Sequence, residues 1–280
     1  MISFRTMLPA DIVAGLALCR AASWNQLAHD WEIFLQLSPD GCRVAIKNEK
    51  IAGTVTTIRY QHSFSWIGMV LVDPASQRQG IGLQLLMEAL KLLRDEETIK
   101  LDATPAGREV YLKLNFVDEY PLSRMKAIAG PVSLQKTTVR PVTINDWPAI
   151  MDFDRPVFGA DRSLLLQGIL TGAPELAYLL EDNGEVQGFC LGRTGHDHLH
   201  IGPVITRDIA IAKQLVLKVL ENCERQSVIM DVMHFEPEWL EWLKLTGFTV
   251  LRSFTRMYLG SNAFPGIPEK QFAITGPEFG

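Results

Sequence analysis

The stretch Val72-Asp73-Pro74-Ala75-Ser76-Gln77-Arg78-Gln79-Gly80-Ile81-Gly82 decides how the rest of the chain is read. Residues 66–72 before it are nearly all apolar, which predicts a strand buried on both faces. Asp73-Pro74 ends that strand, because proline has no N–H for a ladder. Beyond it, Ile81, Leu85, Leu86, Ala89, Leu90 and Leu93 recur at helical spacing. The glycines therefore stand where a helix begins. A helix start leaves backbone N–H groups unpaired and carries partial positive charge, a combination that attracts phosphate. Gly80 and Gly82 have no side chain to hold a pyrophosphate away, and Arg78 adds a charge. Two glycines alone are equally compatible with a tight turn that binds nothing.

Upstream, Pro9-Ala10-Asp11 before Ile12, Val13, Leu16 and Leu18 marks a helix start, and a second helix is expected over 24–37. Strands are expected over 42–46 and 51–60 around the turn Lys47-Asn48-Glu49-Lys50. Downstream come a strand over 98–103, a short helix over 107–114 and a strand from 116 to 125. The order then restarts. Val139-Arg140-Pro141-Val142 resembles Ser3-Phe4-Arg5-Thr6, and a helix start follows at Asp146-Trp147-Pro148. A hairpin is expected over 176–191, then strand 199–205, helix 210–220, strand 228–232, helix 237–244 and a last strand ending near Tyr258. Arg5 and Arg140 are 135 residues apart, as are Gly53 and Gly188, while Phe116 and Phe248 are 132 apart. This predicts a duplicated unit of about 130 residues, the size of one domain. The expected division is 1–132, 136–260, and a Gly- and Pro-rich tail, 261–280, belonging to neither repeat.

The 280 residues are 47% hydrophobic and 21% charged, an ordinary globular composition, and the net charge of −5 lacks the basic excess of a nucleic-acid binder. No apolar run approaches the roughly 18 residues of a membrane span, and Met1-Ile2-Ser3-Phe4-Arg5 lacks the order of a signal peptide. Cys19, Cys42, Cys190 and Cys223 have no metal-ligand spacing and are expected as buried thiols in a reducing cytoplasm.

Two elements in order carry a family resemblance. Gln77 to Gly82 resembles the acetyl-CoA signature of the Gcn5-related N-acetyltransferase (GNAT) superfamily, Arg/Gln-x-x-Gly-x-Gly/Ala, placed between a central strand and a long helix. Tyr111-Leu112-Lys113-Leu114-Asn115-Phe116 resembles that superfamily's Tyr-x-x-x-Gly-Phe element. Asn115 replaces the glycine, and asparagine is the next-best residue for a left-handed backbone position. The resemblance implies an α/β (α+β) fold: two tandem domains, each a mixed, mostly antiparallel sheet flanked by helices, with a splayed central parallel strand pair. It implies acetyl-CoA as co-substrate, the pantetheine arm against Val70, Leu71 and Val72, and the pyrophosphate on Gln77, Arg78, Gln79, Gly80, Ile81 and Gly82. It implies direct attack by an amine, with Tyr111 protonating the leaving thiolate. The base stays open between Asp102, which equally suits a loop cap, and a water. Trp24, Asn25, His29, Asp30 and Trp31 lie where the superfamily lines its acceptor side, although helix packing is the plainer reading of the tryptophans.

The second half keeps the order of elements without the chemistry. No glycine pair follows its central strand, Asp208 would oppose a pyrophosphate, and Leu243 falls where Tyr111 stands. The whole chain resembles a bacterial tandem subgroup with an intact first domain and a degenerate second one. His196, His198 and His200 alternate along a strand but suit polar lining of an interdomain groove better than a metal site, with Arg193, Asp231, His234 and Arg256 as companions. The expected function is N-acetylation of a small primary amine. The alternatives are an acyl-CoA sensor without turnover and a protein lysine acetyltransferase.

Overall fold

The computed structural model describes residues 2–61, 63–131 and 137–280. The first half runs β1 (Ile2–Thr6), α1 (Ile12–Ala21), α2 (Ala28–Leu37), β2 (Arg43–Lys47), β3 (Lys50–Tyr60), β4 (Phe64–Val72), α3 (Ile81–Leu92), β5 (Thr98–Ala103), α4 (Pro105–Leu112) and β6 (Val117–Ile128). The second runs β7 (Arg140–Pro141), α5 (Trp147–Phe158), α6 (Ser163–Gly172), β8 (Tyr178–Asp182), β9 (Glu185–Arg193), β10 (Leu199–Thr206), α7 (Ile209–Asn222), β11 (Ser227–Met233), α8 (Pro237–Leu245) and β12 (Thr249–Gly260), followed by β13 (Gln271–Ala273).

Local chemistry explains where these elements depart from expectation. The second helix begins at Ala28, not 24, because the Asp30 carboxylate accepts the Leu27 N–H at 2.6 Å and closes the first turn there. Trp24-Asn25-Gln26 is left as a loop, its carbonyls at Trp24 and Gln26 held by the Arg20 guanidinium. Helix α4 starts at Pro105, two residues early: the Thr104 hydroxyl accepts the Gly107 N–H at 3.1 Å and proline suits the first helical position. Helix α6 was hidden by its glycines. A Cβ on Gly168 would stand 3.0 Å from Ile33, so the glycine that weakens the helical pattern is the one that lets α2 and α6 touch.

The strands join one thirteen-stranded sheet in the order β1-β2-β3-β4-β5-β12-β6-β11-β10-β9-β8-β7, with β13 on β10. The order is symmetric about the central β12–β6 pair. Each half has given its last strand to the other: β12 pairs with β5, and β6 with β11. The expected boundary at 132–136 lies outside the described residues, but the sheet does not divide along the halves. Parallel pairing occurs at β4–β5 and β10–β11, both pairs registering over two residues before they part.

The core also crosses the halves. Trp31 and Phe34 of α2 pack with Tyr60 and Trp66 of the sheet, Phe158 of α5, Leu166 of α6 and Phe279 of the tail. The tail is thus no appendage. Phe279 stacks on Phe34 at 4.5 Å, its carbonyl accepts the Tyr60 hydroxyl at 2.6 Å, and the Trp66 indole donates to the Pro277 carbonyl at 3.0 Å. No described helix is long and apolar enough to cross a membrane. All four cysteines are free and buried.

Candidate active site

Beyond Trp66 and Lys100, strands β4 and β5 diverge. Strand β4 bulges opposite Thr54–Thr56, where Met69 takes φ +51° and its carbonyl accepts the Thr54 hydroxyl at 2.9 Å. A cleft of about 510 Å³ opens in the gap, walled by Met69, Val70 and Val72 on one side and Leu101 on the other. Its far end reaches Gln77, Arg78 and Gly82. Gly80 caps α3 at φ +79°, a left-handed conformation that a side chain would strain. The first hydrogen bond of α3 runs from Gln84 N–H to Gly80 O at 3.0 Å, so the amides of Ile81, Gly82 and Leu83 have no acceptor within the helix. Arg78 is also left-handed, at φ +59°, and alternating conformations of this kind can form a backbone concavity suited to an anion.

The expected coenzyme positions therefore separate. Val70, Val72, Gln77, Arg78 and Gly82 line the cleft. Gly80 shapes the turn, while the side chains of Leu71 and Ile81 are buried in the core and do not line the cleft. Gln79 turns outward to Lys47 Nζ at 2.5 Å, away from the cleft.

Tyr111 lines the same cleft, one turn beyond Gly107 and two beyond the cap Thr104. Its ring packs against Phe116 at 5.8 Å and over Gly107, where a Cβ would come within 3.1 Å. Asn115 turns the chain back at φ +65°, as a glycine would, so the ring and Phe116 meet. Burial pushes the Tyr111 phenol up to about 12, so it holds its proton at neutral pH. Among the described residues its hydroxyl has no protein hydrogen-bond partner, and it is not sealed from the cleft.

Asp102 also reaches the cleft, but not as a free base. Arg256 of β12 donates to both its carboxylate oxygens at 2.9 Å and to Tyr120 at 2.9 Å, while stacking on Trp66 at 4.7 Å. Burial raises the acid and Arg256 opposes the rise, so the pair stays locked across the exchanged strand. The base role considered for Asp102 does not fit this arrangement.

The acceptor candidates fare unequally. Trp24 lines the cleft. Asn25 instead clamps the second half: its amide donates to His198 O at 2.9 Å and its carbonyl accepts from Asp197 N–H at 2.9 Å and His198 N–H at 3.1 Å. Asp30 caps α2 and pairs with the buried Arg193. Trp31 is fully buried against Gly15, and His29 meets the Gly168 carbonyl at 2.9 Å. Trp31 and His29 tie α2 to α1 and α6, and Asn25 and Asp30 tie the first half to the second. The cleft takes its remaining wall from three residues that sequence reasoning missed: Phe254 of β12, and Pro277 and Glu278 of the tail. No sequence spacing brings them near Tyr111; strand exchange and tail docking do.

The corresponding positions of the second half are filled from within. Asp208 caps α7, its carboxylate accepting the Ile211 N–H at 3.0 Å, and so occupies the helix start with a negative charge. Where β10 and β11 diverge, β13 enters the gap and pairs with β10 at Val204–Ala273. The Ile274 N–H donates to Asp231 O on β11 at 2.9 Å, so the tail bridges the two strands as a pantetheine arm would. Leu243 is buried where Tyr111 has its counterpart. The three histidines do not converge. His196 lies before β10, His198 meets Ser227 at 2.8 Å, and His200 sits between Arg193 and Asp231 at 2.9 Å from each. Among the described residues no group of three His, Cys, Asp or Glu is placed to hold a metal. Arg193, Asp231 and Arg256 are buried and ion-paired in the seam rather than lining a groove, and His234 bonds Ser123 at 2.9 Å.

Comparison with known proteins gives two family matches, one per half. Residues 16–116 match the family described as Acetyltransferase (GNAT) family, and residues 150–273 match the Acetyltransferase (GNAT) domain. Holothin acyltransferase from Pseudoalteromonas sp. (strain SANK 73390) is 25% identical over 261 residues, 93% of this chain and 88% of that protein. The crystal structure of a putative acetyltransferase from Pyrococcus horikoshii is 27% identical with a TM-score of 0.85, covering 100% of this chain and 96% of that one. A tandem GNAT protein from the clavulanic acid biosynthesis pathway shares the fold at 13% identity, with a TM-score of 0.65 over 92% of this chain and 98% of that one.

Proposed function

The chain belongs to the GNAT acetyltransferase superfamily, with one such domain in each half, and from that premise we propose that its first half transfers an acetyl group from acetyl-CoA to the primary amine of a small molecule. The observation that carries this reading is the single cleft that holds the α3 amides, the diverging β4–β5 edge and the free hydroxyl of Tyr111 together. In this reading the pyrophosphate rests on the amides of Ile81 to Leu83 with Arg78 beside them, and the pantetheine arm lies along Val70–Val72.

The amine, neutral when it reacts, attacks the thioester carbonyl carbon from the side walled by Trp24, Phe254 and Glu278. The carbonyl oxygen gains charge beside the bulged β4 backbone, where an N–H would stabilise it. The carbon–sulfur bond breaks, and the thiolate takes the phenol proton of Tyr111. The proton lost by the nitrogen passes through water in the cleft and restores the phenol. Phe254 of the second half and Pro277 and Glu278 of the tail narrow the cleft, which supports a small acceptor over a protein lysine.

Release of free thiol from acetyl-CoA with a panel of amines tests the reading. Tyr111→Phe is expected to lower kcat by about 10²-fold with coenzyme affinity unchanged. Tight coenzyme binding without turnover on any amine, or a Tyr111→Phe protein as active as the parent, would favour a sensor instead.

A further inference from the structure

The tail carries a carboxylate into the acceptor side of the cleft. Glu278 is 3% exposed, and its backbone crosses β4 so closely that a Cβ on Gly68 would fall 2.6 Å from its carbonyl oxygen. Gly68 immediately precedes the bulge at Met69 and Val70, so the crossing lies next to the place where the acyl group would sit. Both hydrogen bonds to the Glu278 side chain fall on one oxygen. Gln26 Nε2 donates to Oε1 at 2.8 Å, and Arg193 donates to the same atom. Oε2 lies over Gly276, and among the described residues no donor reaches it. Oε2 is not fully enclosed, and Glu278 is one of the residues that line the cleft.

A nearly buried carboxylate oxygen with no donor is costly unless something pairs with it. Its companions narrow the choice. Trp24 and Phe254 line the same cleft, and aromatic faces beside a carboxylate suit an ammonium group. Arg193 cannot supply the missing partner, because it is already shared between Asp30 and Glu278. Burial works against the charge on Glu278, but Arg193 and Arg124 outweigh it and hold the carboxyl below its usual range. A carboxylate kept ionised in this way is a poor proton acceptor and a good ion-pair partner.

We infer that Glu278 is the acceptor-recognising residue of the first-half site, its Oε2 binding the ammonium group of a small cationic amine between Trp24 and Phe254. The ammonium held there is a second cationic group of the acceptor, distinct from the amine that attacks. The inference rests on the acetyltransferase reading for the reaction, but the binding it names exists without turnover. Recognition is thus built by the tail, which fills the second half's strand gap with β13 and then passes Pro277 and Glu278 along the first half's cleft.

The test compares propane-1,3-diamine, which carries a second ammonium, with aniline, which carries none. Glu278→Gln keeps the side-chain shape and the contact to Gln26, while Glu278→Asp keeps the charge for Arg193 but withdraws the oxygen. For the diamine, KM is expected to rise at least tenfold in Glu278→Gln and by less in Glu278→Asp, with kcat changed little. The KM for aniline should change by much less than that for the diamine, and the calorimetric Kd of acetyl-CoA should stay as in the parent. Should Glu278→Gln not fold, the same split between diamine and aniline in Glu278→Asp decides. An equal change for both amines, or none for the diamine, overturns the inference. If the parent turns over no amine, the acetyltransferase reading fails by itself. Calorimetric titration of diamine into the parent and the variants, with coenzyme A present, then decides the recognition role: weaker binding in the variants supports it, and equal affinity refutes it.

Discussion

At the scale of single residues, the site depends on backbone conformations more than on side-chain identity. Gly80 supplies φ +79° at the start of α3, and the neighbouring space is open enough for a side chain to project where a phosphate would rest. Gly80→Glu therefore combines backbone strain with a negative charge at an anion site. It is expected to weaken acetyl-CoA binding by at least about 10²-fold, equal to roughly 2.7 kcal/mol, and calorimetry showing the parent affinity would remove the cradle from this loop. Asn115 makes the complementary point. The motif's departure from glycine was legible as harmless, and the residue does take φ +65°. Asp102 shows the limit of residue-scale reading. Its type and place at a strand end suit a base, but its partner Arg256 comes from 154 positions away.

At the scale of elements, caps and breaks explain most boundaries. Asp30 starts α2 and Thr104 starts α4, and both are side-chain acceptors within three residues of the amide they serve. Such local signals are readable in sequence, although the reading of 24–37 as one helix passed over the first of them. The tail is different in kind. The three residues of β13 give no periodic pattern, and its stability comes from a gap between two other strands. Gly202 is where that docking can be broken: at φ +155° a Cβ would stand 2.1 Å from the Ile274 carbonyl oxygen. Gly202→Ala is expected to cost about 1–3 kcal/mol through overpacking. It should also loosen the tail, raising cleavage of 271–280 in limited proteolysis. A tail as protected as in the parent, with an unshifted denaturation midpoint, would show that the crossing can absorb the methyl group.

At the scale of the whole molecule, charged groups in the seam tie the halves together. Arg124 of β6 grips Asp231 of β11 at 2.8 and 2.7 Å, and Asp231 faces His200 of β10. Arg193 of β9 donates to His200 Nδ1 and reaches Asp30 of α2 and Glu278 of the tail. Because Nδ1 accepts from a guanidinium, protonating it would lose that bond and set one cation against another. Burial first, then Arg193, hold His200 below its ordinary pKa. The unfolded chain therefore binds a proton, near pH 6.5, that the folded protein refuses. Stability is expected to be complete above that pH and to fall as the pH drops through it towards the folded value. His198 and His234 act in the same direction. Denaturant midpoints between pH 7.5 and pH 5 should show this slope, and His200→Gln, which can still accept from Arg193 and donate to Asp231, should flatten it. An unchanged slope in the variant would place the titration elsewhere.

By itself the sequence determined the repeated order of elements, the glycine turn at 77–82 and the Tyr111 motif, because each rests on interactions within about one turn or one strand. The same holds for Asp208, which places a negative charge at a helix start. Tertiary structure alone decided which strands the halves exchange, that the tail fills the second strand gap, and that Phe254, Pro277 and Glu278 wall the first-half cleft. Those contacts join residues separated by up to 252 positions, as between Gln26 and Glu278. They are selected by complementary gaps, buried charges and apolar faces that exist only once both halves have folded, so no local pattern announces them.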